Sequence, residues 1–198
     1  MEENVRNTKL NFMLKATLMG AIGFILSMIE TPLFIFPDFL KLDISEITTI
    51  ISGFALGPVY AVITSVIKNG LGLFQSTSGG VGQIANLIIG LSFAIPASLL
   101  YRRKKTKAHA IQGLILGTLC MMAAGVLTNY YILLPFYANV MKFPINAIIA
   151  VANAINPRVE TLTDLLLWVI APFNLLKGSI ISLITILIYK KLSPLLHK

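Results

Sequence analysis

Charge, histidine and cysteine are all scarce in this sequence of 198 residues. Only 12% of the residues are charged, against about 25% in an ordinary soluble domain. The two histidines lie apart from any carboxylate pair, and the single cysteine, Cys120, can form no multi-cysteine metal site. A glycine-rich phosphate loop of the Walker type is also absent. The sequence therefore predicts neither an enzyme nor a resident cofactor, and no ATP hydrolysis by that route.

Hydrophobic residues, by contrast, make up 56% of the chain, and the mean hydropathy is +0.83. A helix that crosses a membrane needs about 20 predominantly apolar residues, and several segments of the chain meet that requirement. We expect an all-α integral membrane protein, multi-pass in the cell membrane, with residues 1–198 forming a single membrane domain.

The longest apolar segment, residues 47–74, must be divided into two spans. As one straight helix it would measure roughly 42 Å, which exceeds a hydrocarbon core of about 30 Å. Gly57 and Pro58 lie inside it, and a proline favours the first turn of a new helix. The sequence then predicts a bundle of six transmembrane helices at about 12–30, 44–57, 58–75, 82–101, 110–137 and 165–190.

Basic residues determine the predicted orientation of this bundle. The strongest basic block is YRRKKTK, residues 101–107, and short basic loops stay in the cytoplasm. With the division at Gly57-Pro58, this block and both termini lie on the cytoplasmic side. The terminal basic residues are Arg6, Lys9, Lys15, Lys190, Lys191 and Lys198. The net charge of +8 then follows from topology, and no nucleic-acid partner is needed to explain it.

Two predicted external loops are unusually long and apolar. They cover residues 31–43 and 138–164, and a solvated connection would be more polar. We expect both loops to form lids that pack against the bundle. Within the second loop, residues 143–155 are too few to cross a membrane and predict a short helix at the outer surface.

Polar side chains in the outer halves of three predicted spans indicate a cavity. An ionised side chain at the centre of a membrane costs about 2.5–3.5 kcal/mol on insertion scales and usually faces a polar cavity. Lys68, Lys177, Asn174 and Asn86 fall at similar depth, which favours one shared cavity. For Lys68 the alternative is a side chain that extends to the outer interface. We predict no carboxylate buried in the membrane, which argues against a proton-coupled carrier.

Two further patterns each have two readings. The tyrosines of NYYILLPFY, residues 129–137, fit either an interfacial aromatic belt or a binding role. On the first helix, Ala16 and Gly20 lie four residues apart and form a flat face. That face suits either packing inside the bundle or contact with a partner membrane protein.

The chain resembles the substrate-binding S components of energy-coupling factor (ECF) vitamin transporters. The resemblance is carried by the string FLKLDISEITTIISGFALGPVYAVITSVIKNGLGLF, followed by GQIANLIIG. Within that family the resemblance is greatest to the riboflavin-specific members. It implies a vitamin pocket on the extracellular side, closed by the loop after the first helix. It also implies a transmembrane coupling protein (EcfT) and two cytosolic ATPases as partners.

The resemblance extends to individual residues. It places Lys41, Leu42 and Asp43 in the closing loop, and Ala16 with Gly20 where the family has two alanines that contact the coupling protein. The candidates for lining the cavity are Lys68, Asn69, Asn86, Asn129, Tyr130, Tyr131, Asn174 and Lys177.

Three alternatives remain open at this point. The ligand could be FMN, whose phosphate would use the lysines, or another vitamin such as thiamine or folate. The chain could also be a membrane-embedded enzyme that acts on lipid or prenyl substrates. Such an enzyme would need acidic ligands near an interface, and Asp38, Asp43 and Glu46 are the nearest approach to them.

Overall fold

The computed structural model describes the backbone of residues 2–197 and the side chains of residues 7–188. Its helices are α1 (Glu2–Ser27), α2 (Glu46–Ala55), α3 (Pro58–Gly72), α4 (Val81–Arg103), α5 (Lys107–Thr128), α6 (Leu134–Asn139), α7 (Ile145–Ile155), α8 (Leu162–Leu165) and α9 (Ala171–His197). A short 3₁₀ turn, Leu73–Gln75, follows α3. The predicted cytoplasmic side chains of Arg6, Lys190, Lys191 and Lys198 lie outside the described residues.

Four long apolar helices in the described chain are able to cross a membrane. They are Asn7–Ser27, Val81–Arg103, Lys107–Asn139 and Leu162–Ile188. Two of them contain a π-helical segment: Asn129–Leu133 joins α5 to α6, and Leu166–Ile170 joins α8 to α9. The protein is therefore a nearly all-helical membrane protein, as the composition predicted.

The two shorter helices α2 and α3 meet at Gly57, where the sequence predicted a break. Gly57 has φ 119° and ψ 167°, a backbone region that is essentially restricted to glycine. Pro58 then occupies the first position of α3, where its missing N–H costs nothing. The apolar stretch 47–74 thus folds as two helices and not as one continuous helix.

The segment between α1 and α2 is a lid folded over one end of the bundle. Its two ends pair as short antiparallel strands, β1 (Thr31–Pro32) and β2 (Lys41–Leu42). Between them, the buried ring of Phe36 packs edge-to-face on Phe173 of α9, with 5.3 Å between ring centroids. Loop 31–43 therefore packs against the bundle, as expected.

The segment between α6 and α8 also packs on the bundle. It contains α7, whose Ile148 and Ala152 are buried beside Val159 and Leu165. The helix covers residues 145–155, close to the predicted short helix at 143–155. Both long loops are thus ordered and pack over the helix bundle.

The small face of α1 lies inside the bundle. Ala16 is fully buried and its carbonyl oxygen accepts a hydrogen bond from Thr64 of α3. A Cβ atom at Gly20 would lie only 2.8 Å from the Cβ of Ile67. The prediction that Ala16 and Gly20 contact a partner protein is therefore not supported by this structure, because α3 occupies that face.

Candidate ligand-binding site

A cavity of about 410 Å³ lies under the lid, between α4, the α5–α6 helix and α9. Its volume falls within the roughly 300–1,000 Å³ that is typical of small-molecule sites. The residues that line it are Glu30, Phe39, Leu40, Lys41, Asp43, Thr77, Ser78, Gly82, Gln83, Ala85, Asn86, Ile89, Met121, Asn129, Leu133, Tyr137, Phe173, Asn174 and Lys177.

The charged side chains on this wall form two ion pairs. Lys177 of α9 donates to the Asp43 carboxylate at 2.6 Å, and both groups are buried. Lys41 and Glu30 form a second, half-exposed pair at 3.0 Å. The wall therefore carries no excess charge of either sign.

Asp43 is held in its ionised form although it is buried. Burial alone would raise its pKa, but the ammonium groups of Lys177 and Lys68 lower it well below the ordinary value. Hydrogen bonds from Lys177 and from Ser45 act in the same direction. The backbone N–H of Ser45 donates to Asp43 Oδ1 at 2.9 Å. The end of the lid is thereby fixed to α9.

Lys68 lies behind the cavity and does not line it. Its ammonium group donates to the Glu46 carboxylate and, at 3.1 Å, to the Ser45 hydroxyl. Only 2% of Lys68 and 2% of Glu46 are exposed. The alternative in which Lys68 extends to the outer interface is therefore wrong.

Two carboxylates, those of Asp43 and Glu46, are buried inside the bundle. Glu46 is the first residue of α2, and its side chain lies inside the bundle beside Gly90 of α4. A Cβ atom at Gly90 would lie only 2.6 Å from the carboxyl carbon of Glu46, so glycine leaves the room that this side chain needs. From the sequence, both residues were expected toward the external side, with Asp43 in the closing loop. They are instead buried because each has a lysine partner from a distant helix.

Three of the candidate asparagines, each from a different helix, lie on the cavity wall: Asn86, Asn129 and Asn174. The amide nitrogen of Asn129 donates to the Gly125 carbonyl at 2.8 Å, and that of Asn174 donates to the Ile170 carbonyl at 2.9 Å. These bonds fix both side chains and leave the amide oxygens available as acceptors. Asn129 begins one π-helical segment and Ile170 ends the other. Such segments occur frequently at functional sites.

Several predicted lining residues lie elsewhere. The amide of Asn69 is buried and donates to the Ser65 carbonyl at 2.9 Å, one turn earlier in α3. Leu42 lies in strand β2, outside the wall. Tyr130 and Tyr131 are exposed and pack edge-to-face on each other. They point away because Asn129 and Leu133, four residues apart, take the side of the helix that faces the cavity.

Three aromatic side chains that were not among the named candidates line the cavity. They are Phe39 from the lid, Tyr137 from α6 and Phe173 from α9. The polar residues missed are Thr77, Ser78 and Gln83. The run STSGG, residues 76–80, was the signal available for Thr77 and Ser78. In the structure, the hydroxyl groups of Ser76 and Ser78 accept hydrogen bonds from the N–H groups of Gly80 and Gly82 at the start of α4.

Residues 11–189 match the family described as the substrate-specific component of ECF transporters. The chain belongs to this family. The match covers nearly all of this S component, including every residue of the cavity wall. The family is a transporter component and not an enzyme, in agreement with the prediction from the sequence.

Relatives of this S component are similar over their whole lengths. The riboflavin transporter RibU of Staphylococcus aureus (strain TCH60) is 31% identical over 100% of this chain and 95% of its own length. The riboflavin transporter FmnP of Bacillus subtilis (strain 168) is 30% identical over 94% of each chain. A solved S component of a bacterial ECF transporter superposes with a TM-score of 0.74 at 29% identity, over 96% of this chain and 99% of that one.

Proposed function

We propose that this S component binds riboflavin in the cavity under the lid and takes part in its import across the cell membrane. The observation that carries the proposal is the composition of the cavity wall. The rings of Phe39, Tyr137 and Phe173 offer faces to a flat isoalloxazine ring. The amide oxygens of Asn129 and Asn174 offer acceptors to ring or ribityl donors. The two riboflavin transporters described above, similar over nearly the whole chain, support the same ligand.

The binding residues in this proposal are those that line the wall. Lys41 and Asp43 belong to the lid, while Asn86, Asn129, Asn174 and Lys177 come from the helices beneath it. Leu42, Lys68 and Asn69 support these residues from behind. Tyr130 and Tyr131 take no part in binding.

Charge balance favours riboflavin over FMN. A free lysine would attract a phosphate, but Lys177 and Lys41 are each already paired with a carboxylate. A phosphate in the cavity would bring excess negative charge to a wall that already holds Asp43 and Glu30. We therefore expect FMN to bind more weakly than riboflavin, by at least tenfold.

The test is a titration of purified protein in detergent. Bound riboflavin is expected to lose fluorescence as it stacks against the aromatic rings, and FMN, thiamine and folate serve as competitors. Failure of riboflavin to bind would overturn the proposed ligand. FMN binding at least as tight as riboflavin would show that the ion pairs do not set the charge preference.

We further propose six membrane spans, with both termini in the cytoplasm and both lids outside. The bounds are those predicted from the sequence, about 12–30, 44–57, 58–75, 82–101, 110–137 and 165–190, with α2 and α3 as two of the six. The basic residues Arg102, Arg103, Lys104 and Lys105 support this orientation. Ala154→Cys in a Cys120→Ser background should react with a membrane-impermeant maleimide on intact cells. Lys104→Cys should react only after permeabilisation, and the reverse pattern would invert the topology.

The partners in this proposal are a transmembrane coupling protein (EcfT) and two cytosolic ATPases. The chain has no Walker-type phosphate loop, so the energy for import must come from another subunit. Co-purification of the tagged S component with these subunits from membranes would test the assembly. Full riboflavin uptake in cells that lack the coupling protein would contradict it.

A further inference from the structure

Four side chains form a chain of hydrogen bonds that leads from Lys68 to the cavity wall. Lys68 donates to the Ser45 hydroxyl, and that hydroxyl donates in turn to Asp43 Oδ1. Asp43 Oδ2 accepts from Lys177. Lys68, Ser45, Asp43 and Lys177 are all buried. The chain of bonds thus runs from α3 through the end of the lid to α9.

The direction of each bond in this chain is fixed by chemistry. A lysine ammonium only donates and a carboxylate only accepts, so the single hydroxyl hydrogen of Ser45 must point to Asp43. Lys68 therefore excludes the orientation in which the Ser45 hydrogen points toward α3, and so favours the bond to Asp43. Without the ammonium group, the Ser45 hydroxyl is free to turn away from Asp43.

We propose that Lys68 is a positioning residue that acts through Ser45 and Asp43 to hold the lid closed over a bound ligand. We name Lys68, Ser45, Asp43 and Lys177 the lid relay. Asp43 is the last residue of lid loop 31–43, and Lys177 lies 134 positions away on α9. The only described side-chain bonds to Asp43 come from Ser45 and Lys177. The role in retaining riboflavin rests on the proposed function, whereas the closure of the lid does not.

The cleanest test removes the Ser45 hydroxyl, because that change leaves every buried charge in place. Ser45→Ala breaks the link between Lys68 and Asp43 but keeps the bond from the Ser45 backbone N–H. In stopped-flow measurements we expect riboflavin to dissociate roughly tenfold faster, the loss of one hydrogen bond to a charged group. The association rate should change little, and Ser45→Thr should restore slow release.

A second variant tests the contribution of Lys68 to the lid relay. The double substitution Lys68→Met with Glu46→Gln removes the buried ion pair without leaving an unpaired charge. It should also speed dissociation, and adding Ser45→Ala to it should produce no further increase, because both changes break one relay. Additive effects of the two changes would overturn the relay.

Thr64→Ala is the matched control. Thr64 also lies on α3, one turn before Lys68, and its buried hydroxyl donates to the Ala16 carbonyl at 3.1 Å, away from the cavity. This variant should lower the melting temperature but leave dissociation unchanged. Equal acceleration in Thr64→Ala and Ser45→Ala would reduce the Ser45 effect to general destabilisation and overturn the proposal.

Hydrogen exchange in ligand-free protein separates this inference from the proposed function. Amides of residues 31–43 should exchange faster in Ser45→Ala than in the wild type or in Thr64→Ala, whichever ligand the cavity takes. Unchanged exchange there, with unchanged dissociation, overturns the lid relay. Wild-type protein that binds no riboflavin overturns the proposed ligand, while the exchange result still decides whether Lys68 and Ser45 hold the lid.

Discussion

Two ion pairs are buried in the described part of this protein, Lys68 with Glu46 and Lys177 with Asp43. In each pair, the charge of one side chain is compensated by the charge of the other. Removing one partner leaves an uncompensated buried charge, which costs about 3–5 kcal/mol. We expect Lys177→Met to lower the free energy of unfolding by this amount and to weaken riboflavin binding as well. Chemical unfolding in detergent and ligand titration measure the two effects.

Lys41→Met is the matched change at an exposed pair. The side chains of Lys41 and Glu30 are 51% and 46% exposed, so water screens the attraction between them. Such pairs contribute about 0–1 kcal/mol to the free energy of unfolding. Equal loss of stability in Lys41→Met and Lys177→Met would show that burial does not make one ion pair contribute more to the free energy of unfolding than the other.

The lowered pKa of Asp43 gives a prediction about pH. As pH falls, the unfolded chain binds a proton at Asp43 before the folded protein does. The stabilisation from Asp43 is therefore complete above its unfolded pKa, near 3.9, and is lost as pH falls through the lower folded value. We expect Asp43→Asn to destabilise the protein by the same amount from pH 8 to pH 5, and by less below pH 4.

Thermal unfolding across this pH range provides the measurement. Asp38→Asn serves as control, because Asp38 is exposed on the same lid and its replacement should change stability by no more than about 0.5 kcal/mol. A destabilisation by Asp43→Asn that fades already at pH 7 would contradict a strongly lowered pKa.

The sequence could identify the wall residues that stand out in apolar helices, but not the pairing of charges. An amide or ammonium group in a membrane helix is costly, and this predicted Asn86, Asn174 and Lys177. The partners Asp43 and Glu46 looked external because they adjoin a long loop. Their burial depends on the fold, which brings Asp43 to a lysine 134 residues away.

At the scale of elements, the junction between α2 and α3 depends on Gly57. Its φ of 119° with ψ of 167° lies in a region where other residues pay about 1–3 kcal/mol in strain. A Cβ atom there would also lie 3.1 Å from Nη1 of Arg102. We expect Gly57→Ala to lower the free energy of unfolding by about 1–3 kcal/mol, measured by denaturant titration in detergent.

Gly70→Ala provides the comparison within α3. Gly70 is helical, and a Cβ atom added there meets nothing within 4 Å. Alanine is favoured over glycine in a helix by about 1 kcal/mol, so this variant should be as stable as the wild type or more so. If both variants lost stability equally, strain at Gly57 would not be the cause.

Helix boundaries could be predicted where a local signal exists. Gly57-Pro58 marked the α2–α3 break because proline and glycine act through the backbone alone. The π-helical segments had no such signal, and they determine which side of the α5–α6 helix faces the cavity. For that reason Tyr130 and Tyr131 were named as candidates for the wall and Tyr137 was not, whereas Tyr137 lines the cavity.

At the scale of the whole molecule, α1 is the most exposed of the four long helices. Only 17% of its most apolar stretch is buried, against 44%, 39% and 44% for the other three. Its small face at Ala16 and Gly20 packs on α3, so only the exposed side of the helix is available to a coupling protein. Thr17 lies on that exposed face, with its hydroxyl bonded to the Met13 carbonyl of the same helix.

These two faces of α1 should respond differently to a bulky side chain. Gly20→Trp must push α3 away, since even a Cβ atom there would lie 2.9 Å from the Thr64 carbonyl, and it should lower both stability and riboflavin binding. Thr17→Trp should leave binding intact but reduce uptake by cells severalfold, because it would obstruct the proposed coupling protein. Leu183→Trp, at an exposed position of α9, is the control and should leave uptake unchanged. Normal uptake by Thr17→Trp would show that the coupling protein contacts another face.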